Sequence, residues 1–374
     1  MNKQELVEQL NDIITENFAL HKNNQINIAD FMIGLIIART VNLNIIAAYS
    51  CRSGKMDRSN IYRGYQYVMH NFKMTQEQLA MTILSMYGLN GEGKLILALD
   101  RTNWRYGKKD INLLVLSVIV KGCGIPLYWL ELDSRGNSDT EERKQVMSCL
   151  IDLVGADKIA YLLADREFIG EDWFEHLCGQ EVKFVIRIKG NMLIESGEKR
   201  LSGKVLSAKA TKTNVVSFDG KIDNQDLSFQ ATISSENKLV LVASNDIRCT
   251  QLLYLYGKRW GIECLFGHLK TKGFNFEDTH ITGKNRISNL TKLIVLAFAC
   301  TFLLGIIEAQ RNPIIVKKHG FKQHSYFRYG LDLITGIILQ NFEAGLDIIA
   351  LCFDRAHRLG RMKSIINRLE NAYA

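Results

Sequence analysis

Two aspartates occupy matching places in the chain. Asp100 closes the apolar run LILALD, and Asp165 closes AYLLAD. An Asp that ends a strand is commonly only a turn former. Two of them closing apolar runs that should lie side by side point further, because neighbouring strands are only about 5 Å apart. Carboxylates at that spacing can share one hard cation, which takes oxygen ligands.

A third carboxylate lies in TQLLYLYGKRWGIECLFGHLKTKG, where Arg259, Glu263 and Lys270 follow Tyr256 at offsets of 3, 7 and 14. Positions seven apart on a helix drift by only about 20°. The spacing therefore predicts one stripe of Tyr256, Glu263 and Lys270, about 21 Å long, with Arg259 close beside it. Such a stripe can follow an extended anion such as a phosphodiester backbone; a solvated charged face is the plainer alternative. Gly257, Gly261 and Gly267 each weaken the helix by about 1 kcal/mol relative to Ala. They also leave room for a second element or a nucleic-acid backbone to come close.

Tyr256, Arg259, Glu263 and Lys270 fit the pattern Y-x2-R-x3-E-x6-K, and the two aspartates sit in LALDRTNW and LLADREFIG. In these blocks, over roughly residues 94–311, the chain resembles the DDE transposases of the insertion-sequence-four group. SYFRYGLDLI in the tail extends the likeness less closely. The resemblance implies that Asp100, Asp165 and Glu263 hold two Mg2+ ions, with Mn2+ as a substitute. Tyr256, Arg259 and Lys270 would then hold phosphates at the transposon end. The implied activity is cut-and-paste transposition: nicking at the end, then attack of the freed 3′-hydroxyl on target DNA. Two metal ions can stabilise the entering and leaving oxygens of such a transfer. Relatives pass through a hairpin with a flipped base held on aromatic residues. Trp104, Trp129, Trp173 and Trp260 all lie outside the expected insertion, so Phe218 and Phe229 are the aromatic candidates within it.

These residues need a scaffold. KLILALD, INLLVLSVIV and IPLYWLELD read as three strands, because apolar β-branched runs are separated by short polar turns. A helix over Ser138–Val154 follows, with Ser138 and Glu141 spaced as a capping box. A strand (IAYLLAD), a helix over 171–178 and another strand (VKFVIRIK) complete β-β-β-α-β-α-β, the order of the RNase H core. Residues 191–245 read as a β-rich insertion of short alternating strands with no clear helix.

Residues 1–90 read as helices. Asn2 with Glu5 and Thr75 with Gln78 are spaced as capping boxes, and Gly88 is a C-cap candidate. A short helix, the basic turn Cys51–Lys55 and the helix Asp57–Phe72 have the order of a helix-turn-helix unit. Arg58, Arg63, Tyr65 and Tyr67 lie on its second helix, with Arg58 and Arg63 as DNA contacts; a small bundle with a basic face is the alternative.

The expected architecture is thus α/β (α+β). A helical DNA end-recognition domain (1–90) precedes an RNase H-like catalytic core (91–311). A helical region (312–374) for dimerisation or DNA contact ends the chain. The net charge of +8 suits a polyanionic partner. Residues 248–292 carry eight Lys or Arg against three acids, and 311–374 ten against five. Beside a phosphate-handling stripe, that excess suits double-stranded DNA, both transposon ends and target. Holding two ends implies a homodimer.

Other features exclude alternatives. Eight cysteines without a CxxC pair argue against zinc and redox motifs. With no signal-peptide core, they fit a reduced cytoplasmic protein associated with the nucleoid. Leu293–Ile307 is nearly all apolar but short of a bilayer span, so a buried core helix is expected rather than a membrane segment. GLNGEGK resembles half a P-loop but follows a helix and lacks the Ser or Thr. His176 and Cys178 are near neighbours that no second pair joins, and His280, after the signature helix, either approaches DNA or is structural. The competing functions are an RNase H-like nuclease that cuts without joining and an inactive DNA-binding repressor. The three intact carboxylates weigh against the latter.

Overall fold

The computed structural model describes residues 22–106, 109–132, 136–318 and 320–353. It is a mixed α/β structure with a large sheet. Its contacts divide it into two compact units. One comprises residues 92–104 and 110–265; the other comprises residues 1–91, 105–109 and 266–374.

The first unit is built on ten strands in the order β3-β2-β1-β4-β5-β10-β9-β8-β6-β7. Strands β1 (Leu95–Tyr106), β2 (Lys109–Val120) and β3 (Cys123–Glu131) are followed by α5 (Thr140–Val154), β4 (Ile159–Ala164), α6 (Glu171–Gly179) and β5 (Phe184–Arg187). This is the β-β-β-α-β-α-β order expected from the sequence. β1 runs parallel to β4, and β4 parallel to β5, while β3 is antiparallel to β2. Unlike the expectation, β1 does not stop at Asp100. It continues through the polar residues to Tyr106, beyond its pairing with β4, which ends at Leu99 opposite Ala164.

α5 begins one residue later than its expected capping box. Asp139 and Glu142 form the reciprocal cap, because Ser138 is taken by Arg143. The Arg143 Nε donates to Ser138 Oγ at 3.0 Å, and Nη2 to its carbonyl at 2.5 Å.

The β-rich insertion is present and richer than the sequence indicated. It holds β6 (Leu193–Ser196), β7 (Lys199–Ser202), β8 (Val216–Ile222), β9 (Gln225–Ile233) and β10 (Leu239–Ser244). A four-residue helix, α7 (Gly203–Leu206), interrupts them where no helix was expected. β10 pairs antiparallel with β5, Val242 opposite Arg187, so the insertion continues the core sheet edge to edge.

In the second unit, α1 (Lys22–Ala38), α2 (Leu43–Ala48), α3 (Arg58–Asn71) and α4 (Gln76–Tyr87) gather with α10 (Lys284–Arg311), α11 (Tyr326–Gln340) and α12 (Phe342–Phe353). The capping box of Thr75 and Gln78 and the left-handed Gly88 both form as expected; the Asn2–Glu5 box lies outside the described residues. Residues 49–57 join α2 to α3, longer than the three or so residues of a helix-turn-helix turn. Buried Asp30 organises that connection by accepting from Ser50 Oγ, Cys51 N, Arg52 and Tyr65 OH.

The apolar stretch Leu293–Ile307 lies within α10, and its most hydrophobic window is wholly buried. α10 and α11 cross at glycines: a Cβ on Gly305 would lie 1.8 Å from the Tyr326 carbonyl oxygen, and one on Gly330 1.9 Å from that of Thr301. Only glycine permits this approach.

Candidate active site

The register of the parallel pair sets the first relationship. Leu99 lies opposite Ala164, so Asp100 and Asp165 are the next residues on adjacent strands. Both carboxylates emerge where the parallel pairing of β1 with β4 ends, Asp100 within β1 and Asp165 just past β4.

The signature segment reaches them through a buried anchor. Leu252 of α8 (Leu252–Gly257) is enclosed with Leu163, Val185 and Val242, from β4, β5 and β10. Burying such a side chain contributes about 2 kcal/mol and fixes α8 against the sheet. One turn later the Tyr256 hydroxyl donates to Asp165 Oδ1 at 3.1 Å.

The expected continuous helix is broken after Tyr256. α8 ends at Gly257, Lys258 and Arg259 form a turn, and α9 runs from Trp260 to Leu269. The amides of Lys258, Arg259, Gly261 and Ile262 donate three residues back, the tighter 3₁₀ pattern. The cause lies at Gly261. A Cβ there would stand 3.0 Å from Ile119 Cδ1 and 3.3 Å from the backbone of Cys123 and Gly122. The start of α9 is therefore pressed onto the β2–β3 turn, the close approach of a second element that the glycines allowed. Lys270 falls just past the end of α9.

Arg259 ties the site together. Its Nη1 donates to Asp100 Oδ2 at 2.8 Å and its Nη2 to Glu263 Oε1 at 2.5 Å. The guanidinium also lies 5.6 Å from the Tyr256 ring centroid. Side-chain exposure rises from 18% at Asp100 through 30% at Asp165 to 37% at Glu263, so the site opens outward from Asp100.

Burial pushes the Asp100 carboxyl up to about 6, against the opposing pull of Arg259 and the Arg101 amide; Glu167 and Glu263 add to the rise. Burial also raises the Tyr256 phenol. At Arg259 burial works against the charge, yet Tyr256, Asp100, Glu263 and Asp165 outweigh it and hold the guanidinium above its ordinary value.

Three residues that the sequence reading did not single out complete the site. Arg101 forms a paired contact with Glu167 at 2.7 and 2.8 Å, and donates to Gly136 O and Asn137 Oδ1. Arg187, at the end of β5, lies 3.7 Å from Asp165. Arg101 and Glu167 were visible as the residues following each aspartate in LALDRTNW and LLADREFIG; Arg187 carried no local signal.

Of the remaining predicted residues, Lys270, Arg58, Arg63 and Tyr65 lie in the other unit. Lys270 pairs with Glu277 at 2.8 Å. Arg58 donates to the Asn44 carbonyl and ties α3 to α2. Arg63 is exposed on α3, whereas Tyr65 is fully buried against Asp30 and faces no solvent. Phe229 is buried and stacked on Phe218 at 5.0 Å, so these two rings pack on one another. The exposed tryptophan is Trp260, 62% accessible at the start of α9.

Among the described residues no three Asp, Glu, His or Cys side chains close on one point, since Arg259 stands between Asp100 and Glu263. The donor chemistry still fits a hard divalent cation, which takes the oxygens that Asp100, Asp165 and Glu263 offer. Arg259 satisfies the two acids in the meantime.

A family model described as a transposase DDE domain matches residues 91–300, more than half the chain. No curated protein matches the chain. Among solved structures, the cryo-EM structure of the piggyBac transposase synaptic complex with hairpin DNA is similar at 11% identity and a TM-score of 0.47, covering 92% of this chain and 76% of that one.

Proposed function

Because the chain belongs to the transposase DDE-domain family, we propose that it is a cut-and-paste DNA transposase of the insertion-sequence-four group with an RNase H-like core. The observation that carries this reading is the meeting of Asp100, Asp165, Glu263, Tyr256 and Arg259 at one end of the parallel strands. They come from three separate stretches of sequence: Asp165 lies 91 residues from Tyr256, and Asp100 lies 159 residues from Arg259.

Asp100, Asp165 and Glu263 would hold divalent metal, Mg2+ or Mn2+. When bound, the metal supplies charge stabilisation to the entering and leaving oxygens of phosphoryl transfer. The chain's own groups do the rest. Arg259, released from its carboxylates, is suited to bidentate phosphate binding. Tyr256 fixes the orientation of Asp165 and keeps its proton because its phenol is buried. Arg101, locked on Glu167, ties the β1 segment that carries Asp100 to the β4–α6 loop that carries Asp165. Lys270 is a phosphate contact at the transposon end in this reading. The N-terminal helices, through Arg58 and Arg63, recognise the ends, and residues 312–374 serve dimerisation or DNA contact. The protein would act on double-stranded DNA in the cytoplasm, at the nucleoid, as a homodimer holding two ends.

The test is cleavage of DNA carrying the element's own ends, with Mg2+, by the wild-type protein and Glu263→Ala. Metal-dependent nicking that the variant loses while still binding DNA is the expected result. Nicking without joining of the 3′-hydroxyl to target would reassign the protein as a nuclease. Binding without any cutting would reassign it as a DNA-binding repressor.

A further inference from the structure

Beside Asp165 lies an open cleft of about 350 Å³, lined by Asn137, Asp165, Arg166, Glu167, Ile169 and Lys189. It is made by three segments: the approach to α5, the β4–α6 loop and the residue pair after β5. None of them belongs to the signature segment that carries Tyr256, Arg259 and Glu263.

The charges in and around the cleft are unevenly committed. Glu167 is neutralised by the paired contact with Arg101, and Asp165 is met by Tyr256 and Arg187. Arg166 and Lys189 are both exposed, and neither side chain makes a hydrogen bond or ion pair among the described residues. The lining itself carries two cations and two carboxylates; the carboxylates are already met by Arg101 and Arg187, which leaves Arg166 and Lys189 as its uncommitted charges beside a catalytic carboxylate. By contrast, Arg259 and Lys270 are already bound to carboxylates. Two uncommitted cations in one concave site next to a reacting centre are the groups most available to a polyanion.

We propose that this cleft is a second phosphodiester subsite, in which Arg166 and Lys189 hold the backbone of a DNA strand other than the one held by Tyr256 and Arg259. The inference rests on the transposase reading. In-line displacement sets the entering and leaving oxygens on opposite sides of phosphorus, so in strand transfer the site must hold both the strand that carries the attacking 3′-hydroxyl and the strand that is cut. Tyr256 and Arg259 supply one holder, and the cleft supplies the other. Arg166 offers the forked donor geometry that suits a phosphate, and Lys189 a point charge. Asn137, whose Oδ1 accepts from Arg101, contributes its amide donors.

The experiment compares the full-length wild type, Arg166→Ala/Lys189→Ala, Arg166→Lys and a charge-matched control, Lys199→Ala/Lys209→Ala, which removes two exposed insertion lysines. Binding of a fluorescent duplex of arbitrary sequence is followed by anisotropy over a range of salt, without divalent metal. Plasmid cleavage in Mg2+ is measured in parallel. The cleft variant should bind about tenfold more weakly, and its salt slope should be shallower by about two, one per lost phosphate contact. The control should change neither by as much, Arg166→Lys should restore most of the affinity, and all should melt like wild type. An unchanged slope in the cleft variant, with the wild type still binding and cutting, overturns the subsite and leaves the transposase reading intact. An equal loss in the control also overturns it, since a general field would then explain the affinity. A wild type that neither binds nor cuts DNA overturns both.

Discussion

Arg259 donates to Asp100 at 2.8 Å across 159 residues of sequence. A guanidinium thereby occupies the flank of the carboxylate on which a cation is needed. Its second amine does the same for Glu263. Without metal, the two acids are held apart from mutual repulsion by a cation the chain carries itself.

Removing that cation should therefore be costly only when nothing replaces it. Arg259→Ala is expected to lose roughly 3 kcal/mol without metal, because a mostly buried carboxylate is left unpaired. Mn2+ or Mg2+ should then raise its melting temperature more than that of wild type, since binding to the folded state alone stabilises it. Equal metal-induced shifts in the two proteins would show that Arg259 and metal do not compete.

Asp100 gives a prediction of opposite sign. Its carboxyl is raised from 3.8 to about 6. The stability it contributes is fully present below 3.8 and lost as the pH rises through 6. At pH 7.5 the ionised group therefore costs up to about 3 kcal/mol. Asp100→Asn keeps an acceptor for the Arg101 amide and removes the charge. It should melt at or above wild type in metal-free buffer while DNA cleavage falls at least a thousandfold. A clearly lower melting temperature would contradict the desolvation account.

Two neighbouring glycines should respond differently to the same change. A Cβ on Gly261 meets the backbone of the β2–β3 turn, whereas one on Gly257 meets nothing within 4 Å. Gly261→Ala should lose about 1–3 kcal/mol by overpacking, and most of its cleavage activity, as the start of α9 shifts. Gly257→Ala should gain up to about 1 kcal/mol. Chemical denaturation of the pair decides it, and similar losses in both would remove the role assigned to close approach.

His268 makes acid stability testable in the other unit. Burial, with a contribution from Lys272, pushes its imidazole down to about 4 from 6.5. The ring packs 4.8 Å from Phe327, and among the described residues its Nδ1 has no hydrogen-bond partner. Its contribution is present above 6.5 and lost as the pH falls through 4. His268→Phe should thus gain on wild type by of order 3 kcal/mol between those limits. Taking the difference between the two proteins cancels the opposing titration of Asp100. A gap that stays constant with pH would mean that His268 is not the group titrating.

Much of this site was legible because its determinants are local. LILALD and AYLLAD read as apolar strands that should lie side by side, and the aspartate after each apolar run was visible without further information; their parallel pairing was not. The break after Tyr256 was only half legible. Gly257 and Gly261 announced a weak helix, but its bend depends on contact with Ile119 and Cys123, over a hundred residues earlier. The hairpin LIES–KRLS escaped notice because its charged residues hide the alternation. Ser138 was mistaken for a cap because nothing in the sequence says that Arg143 will occupy it. The Arg187–Asp165 approach joins strands that pair only in three dimensions.

The antiparallel seam between β5 and β10 has a mechanical consequence. The outer strands join the catalytic sheet through the pairs Val242–Arg187 and Ala243–Ile186, and Arg187, which reaches Asp165, is itself a rung of that seam. Such a junction behaves as a stiff plate instead of a swinging arm. A force applied to β8 and β9 by anything gripping the insertion would be felt as a twist at the aspartate, and amide exchange should open these strands together with β4 and β5 in one cooperative step.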